Sequence, residues 1–335
     1  MKKLLGLLSE NTGLSESDLR KLILSAPDRY KVFYIEKRSG GWRKIAQPAR
    51  PVKFLQRIFI DTILSHIPIH DSATAYRKNY SIRDNAIPHA GNGPILKLDF
   101  KDFFPSIKSA DWRKYCYEFG ILGDSDDVLL SEYLLFFREK GARDLRLSIG
   151  APSSPMISNI IMSRFDELIS DKIAAEKVTY TRYADDMTFS GPRTGHLVNV
   201  IKLVNATLRE VEHPKLRLNH EKTTRITRKF HRTVTGLTLS NDGRVTIGRE
   251  EKRRINAGVH NALHGTISDE MLTELAGRIA YANSVEPEFV EALRRRYGSD
   301  TVRLVGQLAG LIRGSGRQVA LKTPRNVAAS VDSSN

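Results

Sequence analysis

Cysteine is nearly absent. The 335 residues hold one, Cys116, which excludes an internal disulfide and a zinc site built on several thiolates. Flanked by Tyr115, Tyr117 and Phe119, it is expected to pack. Long apolar runs are missing too, and none reaches the roughly 20 residues that a bilayer-spanning helix needs. The opening eight residues start like a secretory leader. The apolar run stops at Ser9-Glu10, however, and no small-residue cleavage site follows. The expected location is the cytoplasm, with no membrane partner. No convincing Ser-His-Asp or Cys-His set stands out, so a protein nucleophile is not expected.

Negative charge is in deficit. Lys and Arg total 53 against 38 Asp and Glu, giving a formal net charge of +15 and a pI near 9.8. Solubility alone is one reading of that excess. A polyanionic partner is the favoured one, because cations placed near phosphates release counterions. A hydrophobic fraction of 40% supports one large domain or two to three packed subdomains.

Apolar periodicity and turn residues predict a mixed order of elements. A helix over 14–25 has Ser15 as N-cap and Asp18 three residues on. Strands over 30–35 and 42–46 form a hairpin around Ser39-Gly40-Gly41, rich in Lys37, Arg38, Arg43 and Lys44. Pro51 opens a helix to about residue 65, with Phe54, Leu55, Ile58 and Leu64 as its stripe. A short strand over 94–98 ends in Asp99. Helices follow over 112–119, 128–139 and 155–175. Strands over 177–182 and 187–190 flank Tyr183-Ala184-Asp185-Asp186. A helix over 196–211 leads to short strands near 216, over 234–239 and over 245–247, the last two joined by Asn241-Asp242-Gly243. From Glu250 the pattern is helical, including 271–283 and 287–297, and residues 313–335 are expected to fray.

Two segments carry the chemistry. In the first, Asp99 ends an apolar strand. In the second, Asp185 and Asp186 sit at the turn of an apolar hairpin. An Asp-Asp pair alone is usually a solvated turn. Half-buried acids are costly unless paired or metal-bound. Three converging carboxylates would offer the hard oxygens that magnesium takes. Two ions roughly 3.5–4 Å apart could run an in-line displacement at a phosphate. Asp102 is either a fourth acid there or a local cap.

At these residues the chain resembles the reverse transcriptases of bacterial retrons. Leu98-Asp99-Phe100-Lys101-Asp102-Phe103-Phe104 is similar to the first palm motif. Gly150-Ala151-Pro152-Ser153-Ser154-Pro155 with Ile157-Ser158-Asn159 is similar to the second, although Ser148 and Ile149 stand where many relatives carry Pro-Gln. Tyr183-Ala184-Asp185-Asp186 matches the third, and Leu218-Asn219-His220-Glu221-Lys222-Thr223 resembles the fourth. Asn85-Ala86-Ile87-Pro88-His89 and Val234-Thr235-Gly236 resemble elements particular to retrons.

The resemblance implies an α+β right-hand polymerase: N-terminal helix and fingers over 1–93, a palm of antiparallel sheet plus helices over 94–240, and a helical thumb with an RNA-recognition region over 241–335. It implies Asp99, Asp185 and Asp186 as catalytic ligands of two magnesium ions. Phe104 would exclude a 2′-hydroxyl, or else simply pack. Arg43 would grip the triphosphate, or else lie on a solvated hairpin face; Lys37 is a second candidate for which the two readings stand even. Lys222 would be a general acid near the pyrophosphate, or a surface lysine. Arg249, Lys252, Arg253 and Arg254 would contact RNA, as would basic residues between Arg217 and Arg232. His89 is expected to be structural or RNA-contacting. The implied partners are deoxynucleoside triphosphates, a cognate structured noncoding RNA with its branched DNA product, and a separate effector protein in antiphage defence. The competing expectations are an intron-type reverse transcriptase, which would carry a maturation or endonuclease domain, and an idle RNA-binding scaffold, which the intact acids disfavour.

Overall fold

A computed structural model describes residues 3–37 and 40–321. The chain forms two compact units: residues up to Thr235 with Asn241–Gly243, and Gly236–Ser240 with the residues from Arg244 onward.

The first unit opens with α1 (Leu4–Thr12) and α2 (Glu16–Leu24). Ser15 caps α2 as its spacing predicts, accepting the Asp18 amide. β1 (Tyr30–Glu36) and β2 (Trp42–Pro48) pair antiparallel, Tyr30 opposite Pro48 and Glu36 opposite Trp42. Arg38 and Ser39 of the expected turn lie outside the described residues. α3 (Arg50–Thr62) buries Val52, Leu55, Gln56 and Phe59. Phe54, expected inside, is exposed. A stripe of positions 52, 55, 56 and 59 follows the helical repeat and leaves position 54 off the face. The helix stops at Thr62, and Leu64–His66 forms a single 3-10 turn.

α4 (Ile82–Ala86) precedes β3 (Ile95–Asp99), α5 (Phe103–Ser106), α6 (Ser109–Phe119) and α7 (Ser125–Leu135). The helix expected to reach residue 139 ends at Leu135. The chain turns extended at β4 (Phe137–Arg138), which pairs with β5 (Leu145–Arg146). Extension lets the Phe137 ring pack 4.9 Å from that of Tyr30 and brings Glu139 to Lys44 and Arg146. Then come α8 (Ser154–Ala174), β6 (Thr179–Tyr183), β7 (Asp186–Ser190), α9 (Val200–Glu210), β8 (Thr224–Ile226) and β9 (Arg232–Val234). The strand expected near 216 is a single bridge, Leu218 to Phe100.

Four strands form one antiparallel sheet in the order β6-β7-β3-β8. Its apolar residues Leu96, Leu98, Met187 and Phe189 share a core with Ile157, Ile160, Ile161, Phe165 and Ile169 of α8. The face of α8 therefore follows its expected stripe.

The second unit contains β10 (Leu237–Leu239), β11 (Val245–Thr246), α10 (Arg249–Leu263), α11 (Asp269–Val285), α12 (Pro287–Tyr297) and α13 (Ser299–Leu321). The strand expected over 234–239 is broken, because Thr235 and Gly236 both take positive φ. β10 and β11 form the hairpin that Asn241-Asp242-Gly243 predicts. The Gly258 position faces Leu275 so closely that a Cβ would lie 2.7 Å from its Cδ1, so α10 and α11 approach tightly there. Helix α13 covers 313–321, where fraying is expected, and residues 322–335 lie outside the described residues. Among the described residues no helix is long and apolar enough to cross a membrane.

His89 is fully buried, 2.6 Å from Ser190 Oγ through Nδ1 and 2.8 Å from Thr181 Oγ1 through Nε2. It is a tie between its own segment and strands β6 and β7, and burial removes it from RNA contact. That burial also pushes the imidazole down to about 3 from 6.5. Below pH 6.5 the unfolded chain takes up a proton that the folded one refuses. The contribution of neutral His89 is thus full above that pH and falls by about 1.4 kcal/mol per pH unit on acidification towards the folded value. Urea unfolding between pH 7 and pH 4 is expected to show a shallower decline for His89→Gln than for the wild type; equal slopes would refute this.

Candidate active site

The acidic site is built on the β6–β7 hairpin and the end of β3. Asp99 lies directly opposite Asp186 in the β3–β7 register, and Tyr183 lies opposite Asp186 across the hairpin. The loop between Tyr183 and Asp186 is two residues, Ala184 and Asp185. Ala184 has φ 59 and Asp185 does not have positive φ, the sign pattern of a type II′ turn, which suits the twist of paired strands. An alanine in that conformation is strained, so the surroundings must hold it.

They do so through Arg182. This guanidinium is fully buried and grips Asp166 of α8 with two bonds, Nε to Oδ1 at 2.8 Å and Nη2 to Oδ2 at 2.5 Å. Its Nη1 donates to the Ala184 carbonyl at 3.0 Å and to Asn159 Oδ1 at 3.2 Å. Tyr180 donates its hydroxyl to Asp166 at 2.8 Å. The Phe100 amide donates to the Asp185 carbonyl at 3.3 Å. Both turn carbonyls are thereby held, and the two carboxylates stand where β3 ends.

The acids crowd one another. The Asp186 carboxyl is pushed up to about 6, first by lost hydration and then by the charges of Asp185 and Asp99, although Asp186 keeps an exposed edge. Asp185 is also raised, by burial first and by Asp99 next, with Lys222 and Arg43 opposing. Asp99 is buried, and the Lys222 ammonium donates to both its oxygens, at 3.0 and 2.8 Å. Burial works against the Lys222 charge, but the bond to Asp99 together with the charges of Asp99, Asp185 and Asp186 outweighs it and raises the pKa. The Asn219 amide donates to the Asp99 carbonyl at 2.7 Å. Among the described residues no three His, Cys, Asp or Glu side chains are already drawn into a metal cage. The donor chemistry nonetheless fits a hard divalent cation: three carboxylates converge, and the raised protonation of Asp185 and Asp186 marks negative charge in want of a counterion.

A cleft of about 300 Å³ lies beside the Phe104 ring, lined also by Tyr76, Lys53, Arg57, Ile149 and Gly150. Phe104 is half-buried and rests 5.4 Å from Phe103, so it both packs and faces the cleft. Gly150 has φ 127, and a Cβ there would lie 2.9 Å from the Ala46 carbonyl. The Ala46 amide donates to the Ile149 carbonyl at 2.9 Å. Only glycine allows that approach of β2, which carries Arg43, to the segment before α8.

Arg43 is exposed but near enough to Asp185 to act on its charge. Lys37 is exposed at the turn of the β1–β2 hairpin, where its amide donates to the Gly41 carbonyl at 2.9 Å. Asp102 has φ 48, precedes α5 and makes no side-chain cap bond. In the second unit, Arg249 and Arg253 are exposed, Arg254 pairs with Glu250 at 2.6 Å, and Lys252 is tied to Glu286. Arg232, expected at phosphates, is buried and donates to the Gly93 carbonyl at 3.1 Å. Four residues around the site escaped the sequence: Tyr76, whose positive φ has no sequence marker, Lys53, Arg57 and Asp166. The last left a signal, since it shares the inward stripe of α8 with Met162 and Ile169.

Removing one partner of the buried pair leaves the other charged and unmatched. Arg182→Met and Asp166→Leu are each expected to cost about 3–5 kcal/mol, and the double variant less than their sum. Denaturant unfolding of the three proteins measures this, and additive losses would contradict it.

The reverse transcriptase (RNA-dependent DNA polymerase) family matches residues 35–254. The chain is 38% identical over 291 residues to the Retron Ec83 reverse transcriptase of Escherichia coli, covering 86% of this chain and 93% of that protein. It is 33% identical to the Retron Ec73 reverse transcriptase (82% and 89% covered) and 32% identical to the Retron Ec86 reverse transcriptase (88% and 90%), both also of Escherichia coli. With the acid-bearing hairpin set in an α+β polymerase fold, these likenesses place the chain in the retron reverse transcriptases, the RNA-directed DNA polymerases of that family.

Proposed function

We propose that the protein copies part of a structured noncoding RNA into DNA, priming from a 2′-hydroxyl of that RNA and keeping the branched RNA–DNA product bound. The observation that carries the polymerase chemistry is the register of the sheet, which sets Asp99 opposite Asp186 with Asp185 at the adjoining turn. In this reading residues 1–93 are fingers, 94–240 palm and 241–335 thumb. The protein acts in the cytoplasm and serves antiphage defence with a separate effector.

Asp99, Asp185 and Asp186 would hold two magnesium ions. Bound there, such a pair supplies Lewis-acid activation of the primer hydroxyl and charge stabilisation at the α-phosphate and departing pyrophosphate. Lys222 neutralises Asp99 before loading, and is then free to give a proton to the leaving pyrophosphate. Arg43, with Lys37 further out on the hairpin, would bind the triphosphate. The Phe104 ring would close the cleft against a 2′-hydroxyl. Arg249, Lys252, Arg253 and Arg254 would meet RNA phosphates, Lys252 only after leaving Glu286.

With magnesium, deoxynucleotides and a primed RNA, the purified protein is expected to make DNA, and Asp185→Asn to lose about 10³-fold or more of the rate. Normal synthesis by that variant would remove the metal assignment. Phe104→Ala should raise ribonucleotide incorporation relative to deoxynucleotide by about 10- to 100-fold, read from single-nucleotide kinetics; an unchanged ratio would return Phe104 to plain packing. Nucleic acid copurified from the native host should contain DNA joined to RNA, and unmodified RNA alone would refute the branched product.

A further inference from the structure

A second groove, of about 620 Å³, adjoins the same short element as the nucleotide cleft. Phe104 lines the cleft, whereas Lys101, Asp102, Pro105 and Ser106 line the groove together with Lys108, Arg146, Lys215 and Arg217. The backbone explains the gathering. Leu216 and Leu218 are buried while Lys215 and Arg217 between them are exposed, so an extended segment turns both cations to one side, about 7 Å apart. The Lys101 amide donates to the Arg217 carbonyl at 2.9 Å, which brings Lys101 beside them. A bridge between Lys108 and Arg146 adds two more.

Lys108 and Arg146 are committed to Asp144 and Glu139, at 2.6 and 3.3 Å. Lys101, Lys215 and Arg217 have no ion-pair partner among the described residues. Arg146 Nε is buried with no hydrogen-bond partner. Of the two acids in the groove, Asp111 is engaged by the Lys108 amide and by His213. No Phe, Tyr or Trp lines the groove, and its one imidazole, His213, is engaged by Asp111 at 3.1 Å, so it offers little platform for stacked bases. Cations from three segments, with no Phe, Tyr or Trp beside them, suit a phosphate backbone followed by its shape.

We propose that this groove, lined by residues of the first unit alone, holds the phosphate backbone of a helical part of the RNA on which the enzyme works. The proposal rests on the RNA-directed activity of the family. Its test uses the full-length Lys101→Ala/Lys215→Ala protein and a 20-base-pair RNA hairpin, with binding followed by fluorescence anisotropy across salt concentrations. The expected result is a 10-fold or greater loss of affinity at low salt and a slope of log K against log salt reduced by nearly 2, about 0.9 per lost phosphate contact. Extension of a short primed template at saturation should keep its rate. Unchanged affinity and slope would overturn the proposal. So would weakened inhibition by inorganic pyrophosphate with RNA binding intact, which would give the groove to the reaction product. Both lysines are exposed, and an unchanged melting temperature excludes a folding defect. A wild-type protein that bound the hairpin but made no DNA would count against the polymerase reading and not against the groove.

Discussion

The acid-bearing hairpin depends on one ion pair sealed from water, Arg182 with Asp166. Such a pair is an expensive way to stabilise a protein, because desolvation consumes most of the attraction. Its effect here is positional. One guanidinium joins the long helix α8 to strand β6 and, through its remaining nitrogen, to the carbonyl of Ala184. A strained two-residue turn is thereby fixed to the most extensively buried helix of the unit. Tyr180 and Asn159 complete the polar shell, so the network has few unmet bonds to loosen it.

Fixing the turn fixes an electrostatic problem beside it. Three carboxylates share the end of one sheet, and two of them hold their protons above the usual range. Lys222 answers part of that charge from the loop before β8, and Arg43 answers another part from β2. The site is thus assembled from elements far apart in the chain, and its charge balance is set by which cations can reach it. Elsewhere many cations of this basic chain are spent on local acids: Lys44 with Glu139, Arg113 with Glu132, Lys252 with Glu286. A charge run in the sequence does not distinguish spent cations from free ones. Arg232 is buried against the Gly93 carbonyl, whereas Lys101 is exposed.

Local rules were legible where local physics governs. Ser15 caps a helix because its oxygen reaches the Asp18 amide. Asn241-Asp242-Gly243 makes a hairpin because Gly243 accepts positive φ. The inward stripe of α8 follows helical spacing. The misreadings occurred where tertiary contacts overrode propensity. Residues 136–139 were expected to be helical and are extended, because Phe137 finds Tyr30 and Glu139 finds two cations. Residues 234–239 were expected to be one strand and are divided by Thr235 and Gly236. For His89, expected to be structural or RNA-contacting, the fold decided for the structural reading by burying it as a tie.

The order and identity of the acids, the glycine before α8 and the excess of positive charge belong to the sequence alone, since each is a matter of residue type and spacing. They point to a polymerase, and the Asn85–His89 and Val234–Gly236 elements, equally a matter of residue type and order, narrow it to the retron type. The tertiary structure decided the rest: that Asp99 faces Asp186, that Lys222 rather than a nearer lysine reaches Asp99, that Asp166 is the anchor of the turn, and that Lys101, Lys215 and Arg217 share a groove. Those facts depend on strand register and helix phase between segments separated by up to 123 positions. Such relations arise only when the core closes, because no local spacing encodes which distant backbone a strand will pair with.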